Sequence, residues 1–257
     1  SNPVFQIGET FGSRELIGSY IGSGMMDGKF DFNLYFDARN VFAMDSEDFD
    51  RLGTSLQSSL SYYGNHHLMG NITGNHDLPR FISYAGEGLK FGEDEKEAGW
   101  NREIKVENPV GYDKLGQLIA FMWTIPGIPV MYYGDEFGMP GAGDPDNRRL
   151  MRFELSEGES AMLETTKTIT GLRADHLALQ FGDIYNIEAK GKSMTFKRKY
   201  FDDEVIVLFN KDSLQQIITV ADESEDWKVH FGHKLHVEGD NIEVHVPAYG
   251  FEILTKE

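Results

Sequence analysis

The sequence predicts a parallel α/β unit followed by an all-β unit. Apolar runs typical of strands alternate four times with amphipathic helical patterns in the first part of the chain, which indicates βα units. From about Gly182 the helical patterns stop and short strands with closely spaced turn signals follow, as in an antiparallel β-sandwich. We therefore predict an α/β domain over residues 1–178 and a β-sandwich domain over residues 179–257.

Composition limits the classes of partner. The chain has 257 residues, 40% of them hydrophobic and 26% charged, which is typical of a soluble globular protein. Its net charge of −18 repels phosphate backbones and anionic bilayers, so neither nucleic acid nor a membrane is an expected partner. A neutral ligand such as a sugar chain suits this surface. The lack of cysteine excludes thiol chemistry, and no signal peptide is visible, so the localisation stays open.

The first half of the α/β part begins with a strand predicted over residues 4–9 and a short helix over residues 14–22. Residues 30–34 are predicted to form the second strand. The next helix is expected to be capped by Asp45 or Ser46, because its apolar residues begin soon afterwards. These residues follow one another at helical spacing: Phe49, Leu52, Leu56, Leu60 and Tyr63.

The second half begins with a strand predicted over residues 68–73. Residues 85–109 form a long polar stretch, and a loop of that length in a compact domain is expected to be functional or mobile. Pro109 is suited to the first position of the following helix. The continuous apolar run over residues 128–133 predicts a strand buried on both sides, and a last helix is expected over residues 160–174.

A cluster of polar residues follows the third predicted strand. The segment Gly74-Asn75-His76-Asp77 contains an amide, an imidazole and a carboxyl group in succession. Because active sites of parallel barrels lie where strands end and βα loops begin, these side chains are candidate site residues. The alternative is an ordinary polar turn, since Asn, Asp and Gly are common in turns.

Four motifs resemble, in the same order, those of the α-amylase family, glycoside hydrolase family thirteen. The segment from Gly74 to Asp77 resembles the motif after the seventh barrel strand, and Ile7-Gly8-Glu9 resembles the end of the fifth. Residues 127–136 are similar to the eighth strand. Residues 144–149 are similar to the following loop of the neopullulanase and cyclomaltodextrinase branch. The resemblance implies the C-terminal half of a (β/α)8 TIM barrel, strands five to eight, followed by a C-terminal β-sandwich.

The resemblance also implies chemical roles. Retaining glycosidases use one carboxyl group as nucleophile and another as general acid and base. Glu9 matches the acid/base, and Asp77 matches the carboxylate that stabilises the transition state. His76 and Asn75 are expected to bind substrate. Asp146 and Arg148 are expected to contact substrate in subsites beyond the cleavage point.

The expected nucleophile is absent from this sequence. In the family it is an aspartate at the end of strand four with an arginine upstream, and residues 1–8 contain neither. The chain alone is therefore expected to be inactive on its substrate, an α-glucan oligosaccharide or polysaccharide. Its protein partner is expected to be the missing N-terminal half of the barrel or a second copy. An open half-barrel would expose apolar side chains such as Ile7, Ile72 and Val130. No cofactor is expected in this chain. A calcium site could lie in the missing N-terminal half of the barrel.

Two other interpretations compete with this one. His66 and His67 together with His76 and Asp77 offer ligand types suited to a metal, but neighbouring residues on a strand point to opposite faces, so no metal site is predicted. The whole chain could instead be a non-catalytic amylase-like protein or a glycan-binding module.

Two further carboxyl groups follow the predicted fourth strand. Asp135 and Glu136 could line the site or be structural carboxylates paired with Arg148 or Arg149, and we favour the structural role.

Overall fold

The computed structural model describes residues 4–222 and 226–256. Its first part contains four short parallel strands: β1 (Ile7–Gly8), β2 (Gly28–Lys29), β3 (Gly70–Ile72) and β4 (Ile128–Val130). Strand β1 pairs with β2 and β3 pairs with β4, and a bridge between Phe30 and Gly70 joins the two pairs. The sheet order is therefore β1-β2-β3-β4.

Helices follow each of these strands. They are α1 (Arg14–Gly22), α2 (Phe32–Ala43), α3 (Phe49–Tyr63), α4 (Phe81–Ala85), α5 (Glu95–Asn101), α6 (Val110–Thr124), α7 (Glu157–Asp175) and α8 (Leu177–Phe181). Two short 3₁₀ turns, Asp135–Phe137 and Asp146–Arg148, lie between β4 and α7. None of the helices in the described ranges is both long and apolar enough to cross a bilayer.

The second part is antiparallel. Its strands are β5 (Asp183–Lys190), β6 (Ser193–Tyr200), β7 (Asp203–Asn210), β8 (Gln216–Ala221), β9 (Trp227–Val229), β10 (Lys234–Glu238), β11 (Asn241–Val246) and β12 (Phe251–Lys256). A five-stranded sheet has the order β5-β6-β7-β12-β9, and a three-stranded sheet has the order β10-β11-β8. This agrees with the predicted change from βα units to an antiparallel domain.

Alternating side chains of β7 belong to two different cores. Val207 and Phe209 pack with the helices of the α/β part, whereas Ile206 and Leu208 pack between the two sheets. This alternation follows from the two-residue period of a strand. Because the first core contains residues of both parts, the division at residues 178 and 179 stays a prediction.

Two arginines bind the C-terminal end of α6, and one of them, Arg198 of β6, joins the two parts. Arg173 donates to the carbonyl oxygen of Trp123 at 2.6 Å, and Arg198 donates to that of Thr124. The last carbonyl groups of a helix have no partner within the helix and carry partial negative charge, so guanidinium groups are suitable partners.

The predicted strand over residues 30–34 is wrong. The strand is Gly28–Lys29, and α2 begins at Phe32 because the Asp31 carboxylate accepts a hydrogen bond from the backbone N–H of Leu34 at 3.1 Å. Such an N-cap commits the next residues to helix.

The predicted cap of α3 is also wrong. Asp48, not Asp45 or Ser46, precedes this helix, and Asp45 instead forms an ion pair with Lys114 at 2.7 Å.

One loop prediction and one strand prediction also differ from the structure. The stretch over residues 85–109 contains the helix α5. Strand β4 is partly exposed along its length rather than buried on both sides. Within the ranges the structure describes, no strand pairs with the outer edge of β4 or of β1, which leaves these edges uncovered.

Candidate active site

Polar side chains from separate strands meet at the C-terminal edge of the parallel sheet. Glu9 follows β1 directly, and Asn75 lies in the turn after β3. The Asn75 amide Nδ2 donates to Glu9 Oε1 at 3.3 Å, while its Oδ1 accepts from the backbone N–H of Asp77 at 2.9 Å. Asn75 therefore connects the carboxylate of Glu9 with the backbone of Asp77, 68 residues further along the chain.

Asp77 lies between two cationic or potentially cationic side chains. Its Oδ1 is 3.4 Å from His76 Nε2 and 3.2 Å from Arg148 Nη2. Arg148 also reaches Asp144, at 3.2 Å from its Nε. The Asp77 side chain remains 49% exposed, so it is accessible to a ligand.

The turn that carries His76 and Asp77 is held by the loop after β4. The carbonyl oxygen of His76 accepts from Asn147 Nδ2 at 2.8 Å and from Arg148 Nε at 2.9 Å. Asn147 Nδ2 also donates to the carbonyl oxygen of Leu78 at 2.9 Å. Asn147 is fully buried, so its contacts fix the position of the turn.

A buried ion pair lies beneath this turn. Arg80 Nη1 is 2.9 Å from Asp135 Oδ1, and the Thr73 hydroxyl donates to Asp135 Oδ2 at 2.6 Å. Burial raises the pKa of Asp135 above its usual range, while the charge of Arg80 opposes this shift. Arg80 Nε also donates to the carbonyl oxygen of Asn147 at 2.9 Å, which ties the pair to the loop that holds the turn.

The structural role expected of Asp135 is found, but its partner is Arg80 rather than Arg148 or Arg149. Arg148 forms ion pairs with Asp77 and Asp144, and Arg149 forms one with Asp146. For Glu136, the contact seen is through the backbone, where its carbonyl oxygen accepts from the Thr166 hydroxyl at 2.9 Å.

Asp146 is not brought to the cluster around Asp77. Both of its carboxylate oxygens are held at 2.8 Å by Arg149, and Oδ2 also accepts from the backbone N–H of Ala142. A bidentate pair of this kind fixes the orientation of the carboxylate. The predicted contact of Asp146 with substrate therefore stays a prediction, and it concerns a different part of the surface.

The histidines do not form one metal site. His66 and His67 precede β3, whereas His76 follows it, so the two groups lie at opposite ends of this strand. His66 Nε2 is 3.1 Å from Asp183, and His67 Nδ1 accepts from the backbone N–H of Met69 at 3.2 Å. Among the residues that the structure describes, no group of three or more His, Asp or Glu side chains is arranged to hold a metal.

Sequence reasoning missed three residues next to the site. Arg80 and Asn147 act on the turn through contacts that only the fold creates. Lys29 is 4% exposed and donates to Thr10 Oγ1 at 2.8 Å, next to Glu9. Its position at the end of a strand could have indicated a site residue. The sequence, however, predicts this strand over residues 30–34, two residues after its observed start at Gly28.

Comparison with known proteins identifies the family. The sequence profile of the alpha amylase catalytic domain matches residues 2–176. The chain belongs to the α-amylase family. The family expected from the four motifs is thus confirmed, and its match covers the whole parallel sheet with its helices up to α7.

The relatives include a cyclomaltodextrinase and a cyclomaltodextrin glucanotransferase. The chain is 30% identical to the cyclomaltodextrinase of Thermoanaerobacter pseudethanolicus over 151 residues, which cover 59% of this chain and 22% of the relative. It is 28% identical to the cyclomaltodextrin glucanotransferase of Paenibacillus macerans over 217 residues, which cover 83% of this chain and 27% of the relative.

A solved amylase structure shares the fold. The α-amylase of Geobacillus thermoleovorans, solved in complex with acarbose, superposes with a TM-score of 0.79 at 24% identity, covering 98% of this chain and 53% of that one. Strands β1 to β4 are accordingly strands five to eight of a (β/α)8 barrel, followed by the C-terminal β domain. The chain spans about half of this amylase and less than a third of the two relatives.

Proposed function

We propose that this chain supplies the general acid/base and the transition-state stabiliser of a retaining α-glucan glycoside hydrolase. Glu9 is the acid/base and Asp77 is the stabiliser. The observation that supports this most directly is the Asn75 side chain, which contacts Glu9 at 3.3 Å and the backbone of Asp77 at 2.9 Å. It brings the ends of barrel strands five and seven together where a sugar ring could reach both.

In the proposed reaction, Glu9 donates a proton to the glycosidic oxygen as the bond to the anomeric carbon breaks. A carboxylate nucleophile forms the covalent glycosyl intermediate, and Glu9 then takes a proton from the water or sugar hydroxyl that attacks it. Asp77 stabilises the positive charge that develops at the anomeric centre. The Asp77 carboxylate and the His76 imidazole are about half exposed and available to sugar hydroxyl groups, and the amide of Asn75 is partly exposed beside them.

The proposed substrate class is an α-glucan: starch, maltooligosaccharide, cyclodextrin or pullulan. The names of the relatives, and the acarbose bound by the structural neighbour, support this class. A neutral sugar chain is also compatible with the net charge of −18.

We further propose that the nucleophile comes from an N-terminal half-barrel, whether on the same longer chain or on a separate one. The uncovered outer edges of β1 and β4 are where such a half would pair. A second copy of this chain could cover the same edges, but it would bring no nucleophilic aspartate from strand four. Below, "the completed barrel" means this chain joined to, or assembled with, an N-terminal half that carries that aspartate.

The experiment is the hydrolysis of maltoheptaose by the completed barrel with and without Glu9→Gln. Loss of a general acid costs about 10²- to 10⁴-fold in rate, and we expect a loss in that range. Binding of maltoheptaose without turnover by the unsubstituted completed barrel would favour the non-catalytic glycan-binding alternative. Unchanged turnover in Glu9→Gln would exclude Glu9 as the acid.

A further inference from the structure

A polar groove of about 840 Å³ lies beside the candidate active site. It is formed by α5, the segment that follows α5, and the loop between β4 and α7. The residues that matter here line its walls: Trp100, Lys105, Tyr112, Asp146, Arg149 and Arg152. The proposed reaction uses none of these side chains.

Trp100 is the most conspicuous of them. Its side chain is 71% exposed, whereas the other two tryptophans, Trp123 and Trp227, are 6% and 7% exposed. An indole ring combines a large flat apolar face with one N–H donor, so leaving it in water forgoes much burial energy. A tryptophan in this position, on the wall of a concave surface, is typical of a binding site rather than of core packing.

The helix that carries Trp100 is held in place. The hydroxyl of Tyr84 donates to Glu95 at the start of α5, and the backbone N–H of Gly143 donates to the Glu95 carbonyl oxygen at 3.2 Å. At the other end, Arg102 forms an ion pair with Glu93 at 2.7 Å. The ring is therefore presented by a fixed element, which lowers the entropic cost of binding a ligand against it.

The charged groups in the groove are paired with each other. Arg149 holds Asp146 through two contacts of 2.8 Å, Arg152 pairs with Glu159, and Lys105 pairs with Glu103 at 2.8 Å. None of these cationic side chains of the groove is therefore left without a partner to bind an anionic ligand. Asp146 and Arg149 remain 19% and 28% exposed, so they offer further donors and acceptors to a neutral polyhydroxyl ligand.

The groove and the candidate site share one short segment of chain, residues 146–149. Arg148 contacts Asp77, while Asp146 and Arg149, immediately before and after Asn147 and Arg148, line the groove.

We propose that this groove is an outer subsite for α-glucan chains, in which the Trp100 ring packs against a glucose ring and the Asp146–Arg149 pair bonds its hydroxyl groups. The class of ligand rests on the function proposed above. In this subsite Asp146 binds substrate away from the catalytic centre. Trp100 increases the affinity for longer glucan chains.

The test uses the chain itself and needs no turnover. Maltoheptaose is titrated by calorimetry into the unsubstituted chain, Trp100→Ala, Trp100→Phe and the control Phe201→Ala, whose side chain is 79% exposed on the β domain. We expect about tenfold weaker binding in Trp100→Ala, near-complete recovery in Trp100→Phe, and no change in Phe201→Ala. Equal affinity of Trp100→Ala and the unsubstituted chain, or no binding by the unsubstituted chain, would overturn the proposal.

A second measurement separates the groove from the catalytic proposal. Saturating maltoheptaose is expected to protect Trp100 from acrylamide quenching, and this protection should persist in Asp77→Asn. Persistent protection combined with an inactive completed barrel would reject the catalytic proposal and leave the groove intact. Loss of protection in Asp77→Asn would show that the groove has no affinity of its own and would contradict the inference.

Discussion

At the scale of single residues, the surroundings of Asp77 suit its proposed role, which is to stabilise the positive charge of the transition state. It is half-exposed, and Arg148 lies 3.2 Å away, so the carboxylate is held without being buried. In the completed barrel, Asp77→Asn should lower kcat for maltoheptaose by about 10²- to 10³-fold with a much smaller change in KM, because the carboxylate is needed most in the transition state.

Steady-state kinetics would check this prediction, with Asp144→Asn as the matched control. Asp144 contacts the same arginine at 3.2 Å but is not assigned to the reacting sugar. Its substitution should therefore cost less in kcat than that of Asp77. An effect of Asp77→Asn confined to KM would contradict the stabilising role.

His67 should make the stability of the chain dependent on pH. Burial, the charge of Arg198 and the neighbouring His66 lower the pKa of His67 from 6.5 to about 4. Between these values the unfolded chain binds a proton that the folded chain does not, so the free energy of unfolding falls as the pH falls. From pH 7 to pH 5 this group alone should remove about 2 kcal/mol of stability.

Urea unfolding at both pH values would measure this effect in the unsubstituted chain and in His67→Gln. The variant should lose less stability on acidification, by about the same 2 kcal/mol. His236→Gln is the control, because His236 is an exposed histidine on β10, in the antiparallel part of the chain. An equal acid sensitivity of the unsubstituted chain and His67→Gln would rule out His67 as the cause.

Site residues could be predicted from the sequence where they lie in a short motif, but not where their role depends on contacts between residues far apart in the chain. Glu9, Asn75, His76 and Asp77 each follow a strand within a short motif, and the fold brings them together. The buried supports could not be predicted in this way. Arg80 is 55 residues from Asp135 and 67 from Asn147 in sequence, and nothing in the local sequence of any of them indicates the contact.

At the scale of elements, α7 contains a complete capping box. The Ser156 hydroxyl accepts from the backbone N–H of Glu159 at 3.3 Å, and the Glu159 carboxylate accepts from the backbone N–H of Ser156 at 2.9 Å. Ser156→Ala should lower the free energy of unfolding by about 1 kcal/mol, as measured by urea denaturation.

The control for this variant is Ser160→Ala, one turn further along the same helix on an exposed position. Alanine is a better helix former than serine, so this change should be neutral or slightly stabilising. If both variants lost the same stability, the cap would not be the origin of the effect.

Helices with a clear apolar stripe were predicted well, whereas short strands were not. The helix predicted from the apolar residues between Phe49 and Tyr63 is present as Phe49–Tyr63. The segment from Phe30 to Leu34 alternates apolar and polar residues as a strand does, but the Asp31 cap makes it the start of α2. Parallel strands of two or three residues carry too little periodicity to fix their ends, so their bounds depend on tertiary pairing.

At the scale of the whole molecule, the parallel sheet has two uncovered edges. Val4 and Phe5, just before β1, are 76% and 47% exposed, and Ile7 and Val130 are partly exposed. The expectation that Ile72 is also exposed is wrong, because it is 2% exposed and packed in the helix core. The uncovered surface is thus concentrated at the outer strands rather than over the entire sheet.

We expect the chain to associate through these edges, with an N-terminal half-barrel or with a second copy. Light scattering at low micromolar concentration should show this, and the association should resist salt because its contacts are mainly apolar and backbone-mediated. A monomer that remains folded and does not aggregate would show that these edges need no partner.

The proposed proton transfer by Glu9 is tested most directly by changing the leaving group. Maltoheptaose needs a proton on its departing oxygen, whereas fluoride leaves from α-maltosyl fluoride without one. In the completed barrel, Glu9→Gln should lower kcat/KM for maltoheptaose by about 10²- to 10⁴-fold and for the fluoride by less than about tenfold. An equal fall for both substrates would mean that Glu9 is not the proton donor.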